Sequence, residues 1–254
     1  MKTKQTDAYD FNVVRQSIYS KGVRVDGFVG NFREDTGECL AVTSKKYKIV
    51  QNKDVLETIE SCLDYGGFTR QTYSVAGGRR MYAVYDFDSE QREIVPGDNL
   101  GFRLLAKNSY DGSTGVTLAA GLLRYICSNG MVSMAKESQV TKVHNNRIDL
   151  KFLRDTIKES RFQWLAAVDF YKAMSNRQIT QDEGSVLIKK MELGDRRAKR
   201  IEETWTNPTY ELDHRRNIYN LYNAVTQELT PLSEKSFELA QRTSHRVLNF
   251  LAKQ

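Results

Sequence analysis

Apolar positions recur at two different spacings along the chain. From about residue 27 to residue 109 they come in short runs bounded by glycine, as in strands. Gly27–Arg33 reads as a strand, Glu34–Gly37 as a turn, and Cys39–Val42 and Tyr47–Val50 as further strand sequence. Asn52 is an N-cap residue type, and Val55, Leu56, Ile59 and Leu63 share one face of a helix predicted over Lys53–Tyr65, with Gly66-Gly67 ending it. Phe68–Ala76 and Arg79–Phe87 flank Gly77-Gly78, a hairpin signature. Pro96-Gly97 marks a loop, and Leu100–Ser109 a third strand with Arg103 and Lys107 on one side. Val116, Ala119, Leu123 and Ile126 then fall at helical steps, with Asn129-Gly130 as the stop.

From about residue 148 the helical spacing dominates. Leu150, Leu153, Ile157, Trp164, Val168 and Tyr171 predict one long amphipathic helix. Further helices are expected over Gln181–Leu193, from the basic run after Gly194, and along Ile218, Leu221, Tyr222, Val225 and Leu229. Thr230-Pro231 reads as the start of a last helix carrying Phe237, Ala240, Val247, Leu248 and Leu251. The expected fold class is α+β: a β-β-β-α core, an antiparallel sheet with packed helices, followed by a helical C-terminal half. The expected divisions are an arm over 1–26, short helix or extended, an α+β core over 27–147, and a helical region over 148–254 packed on that core.

Composition narrows the function classes. With 40% apolar and 28% charged residues among 254, the chain has enough apolar sequence for a core. No apolar run reaches the roughly 18 residues of a membrane span. Met1–Asp10 is polar and lacks a cleavage signal, so a cytoplasmic protein is expected. Cys39, Cys62 and Cys127 are scattered and offer neither a disulfide frame nor metal spacing. The net charge of +6 permits a polyanionic partner without requiring one.

Most catalytic signatures are missing. His144, His214 and His245 lack ligand spacing, and Gly112-Ser113-Thr114-Gly115 lacks the lysine of a phosphate loop. Gly27-Phe28-Val29-Gly30 is followed by no predicted helix, and no Gly-x-Ser-x-Gly turn occurs. The acidic run Asp86–Glu90 reads as a strand end in solvent; a metal-dependent nuclease would need Asp86, Asp88 or Asp111 to converge. The expectation is a non-enzymatic protein with no cofactor and no bound metal.

Basic residues interleaved with aromatics are present in three clusters: Lys45, Lys46 and Lys48 around Tyr47; Arg70, Tyr73, Arg79, Arg80 and Tyr82 around the hairpin; and Arg103, Lys107 and Tyr110, followed by Arg124. Cationic groups hold phosphates and aromatic faces stack on exposed bases, so these are the candidate single-strand contacts. The same residues equally serve as solvating charges on strand faces. Arg196, Arg197, Lys199 and Arg200 precede Glu202 and Glu203 and are expected to pair along a helix.

Ala41–Asn52, Gly77-Gly78-Arg79-Arg80, Lys107–Ser113, Gly121–Met131 and Tyr219–Thr226 together resemble the phage/plasmid-like family of domain of unknown function 932. The predicted order of helix, hairpin, third strand and helix is similar to the core of Redβ-, Erf- and Rad-fifty-two-type single-strand annealing proteins. That second resemblance implies a groove in which Arg70, Arg79, Arg80, Arg103, Lys107 and Arg124 hold phosphates, while Tyr73 or Tyr110 stacks on bases. It implies a phage- or plasmid-encoded, cofactor-independent protein that binds and anneals single-stranded DNA as a homo-oligomer, alongside a phage or host replication or recombination protein. The alternatives are a protein-binding module that modulates a host factor, and the metal-dependent nuclease.

Overall fold

The computed structural model describes residues 9–63, 67–125 and 139–254, with the side chains of 230–238 and 241 left aside. The fold is α+β. It opens with a three-stranded antiparallel sheet, β1 (Val13–Gln16), β4 (Phe28–Arg33) and β5 (Cys39–Ser44), in the order β1-β4-β5. A two-stranded hairpin, β2 (Tyr19–Ser20) and β3 (Val23–Arg24), lies between β1 and β4 in the chain.

In the register, Phe28 faces Ser44, Gly30 faces Val42 and Gln16, and Phe32 faces Val14. A bulge follows, because Asn31 pairs with Ala41 whereas Phe32 pairs with Cys39. The extra residue, Leu40, turns inward and clusters with Phe11, Val13 and Tyr110.

Residues 13–16 are therefore a strand, not a free arm or short helix. Burial of Phe11 and Val13 anchors them, and the Gln51 amide closes the edge by accepting from the Val13 backbone N–H at 3.0 Å and donating to its carbonyl at 2.9 Å. Tyr47–Val50 forms no strand: a turn bond from the Tyr47 N–H to the Ser44 carbonyl redirects the chain. Helix α1 (Asn52–Glu60) buries Val55, Leu56 and Ile59 as its spacing predicts, but Gln51 stands at the N-cap and Asn52 is the first helical residue.

The second sheet has five strands: β6 (Thr69–Val75), β7 (Arg80–Val95), β8 (Asp98–Ser109), β9 (Val116–Arg124) and β10 (Gln139–Lys142). Their order, β10-β9-β8-β7-β6, follows the sequence as a meander. The polar stretch before Pro96-Gly97 is strand rather than loop, and only Pro96-Gly97 turns, with Gly97 at φ +86°.

Residues 116–124 are β9, not the expected helix. Val116 through Leu122 are all buried. A strand covered on both faces shows no alternation, so its short apolar run mimics a helical stripe. The Asn129-Gly130 stop assigned to that helix lies outside the described residues. The element order that linked the chain to single-strand annealing cores is thus not the one observed.

Helices follow: α2 (Lys151–Asn176), α3 (Gln181–Lys190), α4 (Asp195–Thr206), a 3-10 turn at Glu211–His214, and α5 (Ile218–Leu251). Thr180 and Glu183 form a reciprocal capping box at the start of α3. Helix α3 packs on α4, and α4 on α5. The α3 backbone comes close at Gly184, where a Cβ would lie 2.4 Å from the Trp205 indole nitrogen.

Helix α5 runs through Pro231 instead of restarting there. Interior proline removes one backbone bond, and the buried stripes on either side, Ile218 to Leu229 and Ala240 to Leu251, outweigh it. Arg200 pairs with Glu228 at 2.9 Å, a tertiary contact rather than the expected pairing within its own helix.

The chain falls into two compact units. One comprises residues 1–85, 104–119 and 139–160; the other comprises 86–103, 120–138 and 161–254. Strands β7, β8 and β9 and helix α2 each pass from one into the other.

Candidate nucleic-acid interface

The predicted basic set divides by exposure. Lys45, Lys46, Lys48, Arg79 and Tyr73 are exposed. Arg70 pairs with Glu60 and donates to the Tyr9 hydroxyl at 3.1 Å. Arg80 pairs with Asp111 at 3.4 Å, and that carboxyl is held below the usual range although burial alone would raise it, because Ser113 and Arg80 favour its charged form. Arg103 grips Asp86 through two bonds of 2.5 and 2.8 Å. These three guanidiniums are already neutralised by carboxylates.

Three members of the set are buried, which corrects the groove expected from the sequence. Tyr110 is fully buried, and its hydroxyl accepts from the Asn52 N–H at 2.9 Å, so no base can reach its ring. Lys107 is buried, with its ammonium 5.9 Å from the centre of the Tyr82 ring. Arg124 has 0% exposure. Its Nε contacts both Asp98 oxygens at 2.9 Å, while Nη1 and Nη2 donate to Asp213 at 3.0 and 2.7 Å. The Tyr219 ring lies 5.5 Å from the guanidinium, and Gln227 also donates to Asp213 at 3.2 Å. Such a fork is spent on carboxylates and offers nothing to a phosphate.

The exposed lysines sit on one firmly built turn. Tyr47, in the middle of it, is buried and donates to the Ser109 carbonyl at 2.6 Å. Its ring stacks on His144 at 4.7 Å. The Lys48 backbone donates to the His144 carbonyl at 3.2 Å, and the His144 Nδ1–H donates back to the Lys48 carbonyl at 3.0 Å. Buried groups thus fix the backbone that presents Lys45, Lys46 and Lys48 to solvent.

Burial lowers the His144 pKa from the ordinary imidazole value, partly opposed by its bond to Lys48. The unfolded chain therefore takes up a proton that the folded one resists, and stability falls as the pH drops below about 6.5, the unfolded value. Urea unfolding between about pH 5 and pH 8 should show this loss in the wild type. His144→Gln should flatten the profile over the same window, whereas parallel profiles would mean that His144 titrates freely.

A second feature escaped the sequence reading. Strand alternation puts Phe28, Gly30 and Phe32 of β4 on the same face as Val14 and Gln16 of β1 and Val42 and Ser44 of β5. This face points away from the cluster of Val13, Leu40 and Tyr110. Phe28 is 48% and Val42 54% exposed. A Cβ on Gly30 would lie 2.2 Å from the Phe32 ring and 3.0 Å from the Ile18 side chain, so the absent side chain is what lets both pack over this position. The signal available in sequence was the spacing Phe-x-Gly-x-Phe.

The acidic run Asp86–Glu90 is engaged elsewhere. Asp86 holds Arg103, Asp88 accepts from the Tyr125 hydroxyl at 3.2 Å, and Glu90 pairs with Arg161. Among the described residues, no group of three or more His, Cys, Asp or Glu side chains is placed to hold a metal ion. No helix among the described residues is long and apolar enough to cross a membrane.

A family model described as a domain of unknown function, DUF932, matches residues 39–247. No curated protein and no solved structure matches the chain.

Proposed function

The chain belongs to the DUF932 family, whose description names no activity, and from its side chains we propose that it binds single-stranded DNA and promotes annealing without a cofactor. The observation that carries this reading is the Lys45–Lys48 turn: three exposed ammonium groups on a backbone pinned by Tyr47 and His144. Arg79 adds an exposed cation on the turn between β6 and β7. Contacts of this kind neutralise phosphates and leave base edges free to pair. Repetition of the contact in a homo-oligomer would multiply a weak single-site affinity.

The test is anisotropy of a labelled oligothymidine across salt concentrations. Binding should weaken steeply with salt. The Lys45→Ala/Lys46→Ala/Lys48→Ala variant should lose affinity and show a log–log salt slope shallower by about 2, as expected for three lost phosphate contacts on a single strand. Wild-type protein that leaves the oligonucleotide unbound at low salt would overturn the proposal. The alternative of a protein-binding module draws on α2, where Phe162 and Leu165 are 80% and 50% exposed one turn apart. It predicts specific capture of a protein partner that Phe162→Ser abolishes and DNA does not compete for.

A further inference from the structure

Resting on the single-strand reading above, we infer that the open face of the β1-β4-β5 sheet is the platform on which DNA bases stack, with Phe28 and Phe32 as the stacking side chains. Two aromatic residues four positions apart on one strand, with a glycine midway between them, place exposed Phe28 and half-buried Phe32 on one face of the sheet. Stacking on such a pair is sequence-tolerant, because every base has a π-face.

The charge around the face selects the occupant. At the end where Phe28 lies, the sheet is bordered by exposed Lys21 and Arg24 of the β2–β3 hairpin and by Lys45, Lys46 and Lys48. Asp26 is an acidic residue at that end, 3.6 Å from Lys45. Exposed Tyr19 sits on the same hairpin. The opposite end carries Glu34, Asp35 and Glu38, with Arg33 bound to Asp35 at 2.7 Å. An aromatic pair with cations at one end fits a strand whose phosphates run past Lys45–Lys48 while its bases lie on Phe28 and Phe32. An apolar protein surface would find no use for that cationic border, and duplex DNA has no free base faces to offer.

Stacking and phosphate contact predict different variants. Phe28→Ala should weaken oligothymidine binding on the order of ten-fold while leaving the salt slope unchanged, because no ionic contact is lost. Phe28→Tyr should restore most of the affinity. Phe28 is exposed and outside the core, so these variants should unfold like wild type.

A direct readout comes from Phe28→Trp. The native tryptophans Trp164 and Trp205 are buried, so the new indole should dominate any change on ligand addition. Its emission should be quenched by oligothymidine and unaffected by heparin, a polyanion without bases. Wild-type binding with Phe28→Ala equally tight, or heparin quenching as strong as that by DNA, overturns the stacking platform and leaves the lysine turn standing. Absence of wild-type binding removes both. Tighter binding to single-stranded RNA than to DNA of the same sequence also overturns the assignment as made.

Discussion

Replacing Arg124 with alanine is expected to destabilise the unit that contains it by about 3–5 kcal/mol, the cost of leaving buried charge unpaired. Asp98 and Asp213 are both buried and both depend on this guanidinium. The change removes a single cation and strands two carboxylates, so it costs more than the bonds themselves. Arg124→Lys keeps the charge but cannot reproduce the fork that engages both partners, and an intermediate loss is expected. Neutralising the whole network with Arg124→Met/Asp98→Asn/Asp213→Asn should recover much of the stability, since replacing a buried ionic group entirely is far cheaper than breaking it. Urea unfolding of the three variants checks this order. A variant Arg124→Ala that unfolds like wild type yet loses DNA would return Arg124 to the phosphate-binding set.

Arg124 also shows where sequence alone stops. Its neighbours in the chain are apolar, and a basic residue at the end of such a run reads equally as a phosphate ligand or as half of a buried pair. The deciding partners are 26 and 89 residues away, a distance no periodicity reports. The same blindness applies to Arg103, whose partner Asp86 was read as a solvent-facing strand end. By contrast, the Gly77-Gly78 hairpin, α1, α2, α3 and the α+β class were legible, because each rests on local turn chemistry or on one exposed and one buried face. Strand β9 was illegible for the opposite reason: with Val116 through Leu122 all buried it has no polar face to reveal its period. Phe28 and Phe32 were legible in principle, since alternation alone places them together, but exposure of that face depends on which side of the sheet the Leu40 bulge feeds.

Two of the stretches that carry the family resemblance, Ala41–Asn52 and Lys107–Ser113, are joined through buried groups, which predicts a severe effect at Asn108. The Asn108 amide donates to the Val50 carbonyl at 2.9 Å and to the Asn52 side-chain oxygen at 2.8 Å. Asn52 in turn presents its backbone N–H to Tyr110, and the Tyr110 carbonyl accepts from Asn31 at 2.7 Å. All five residues are buried. Thus Ala41–Asn52 and Lys107–Ser113 are joined by hydrogen bonds that define the start of α1 and the end of β8. Asn108→Asp deletes the donor and sets a carboxylate against two acceptors. With each orphaned buried group costing about 1–3 kcal/mol, a loss of at least several kcal/mol is expected at neutral pH. The loss should shrink in acid. Burial and the facing oxygens raise the carboxyl pKa in the folded state above the unfolded value of about 3.9. The protonated form regains a donor, so the variant is most stable below the unfolded value and loses stability as the pH rises through the folded one. Urea unfolding of Asn108→Asp and of Asn108→Ala should therefore diverge with pH, the aspartate variant gaining on the alanine variant as acid is added. If the two track each other, Asn108 holds no such pair of acceptors, and the family stretches must be joined by something other than this amide.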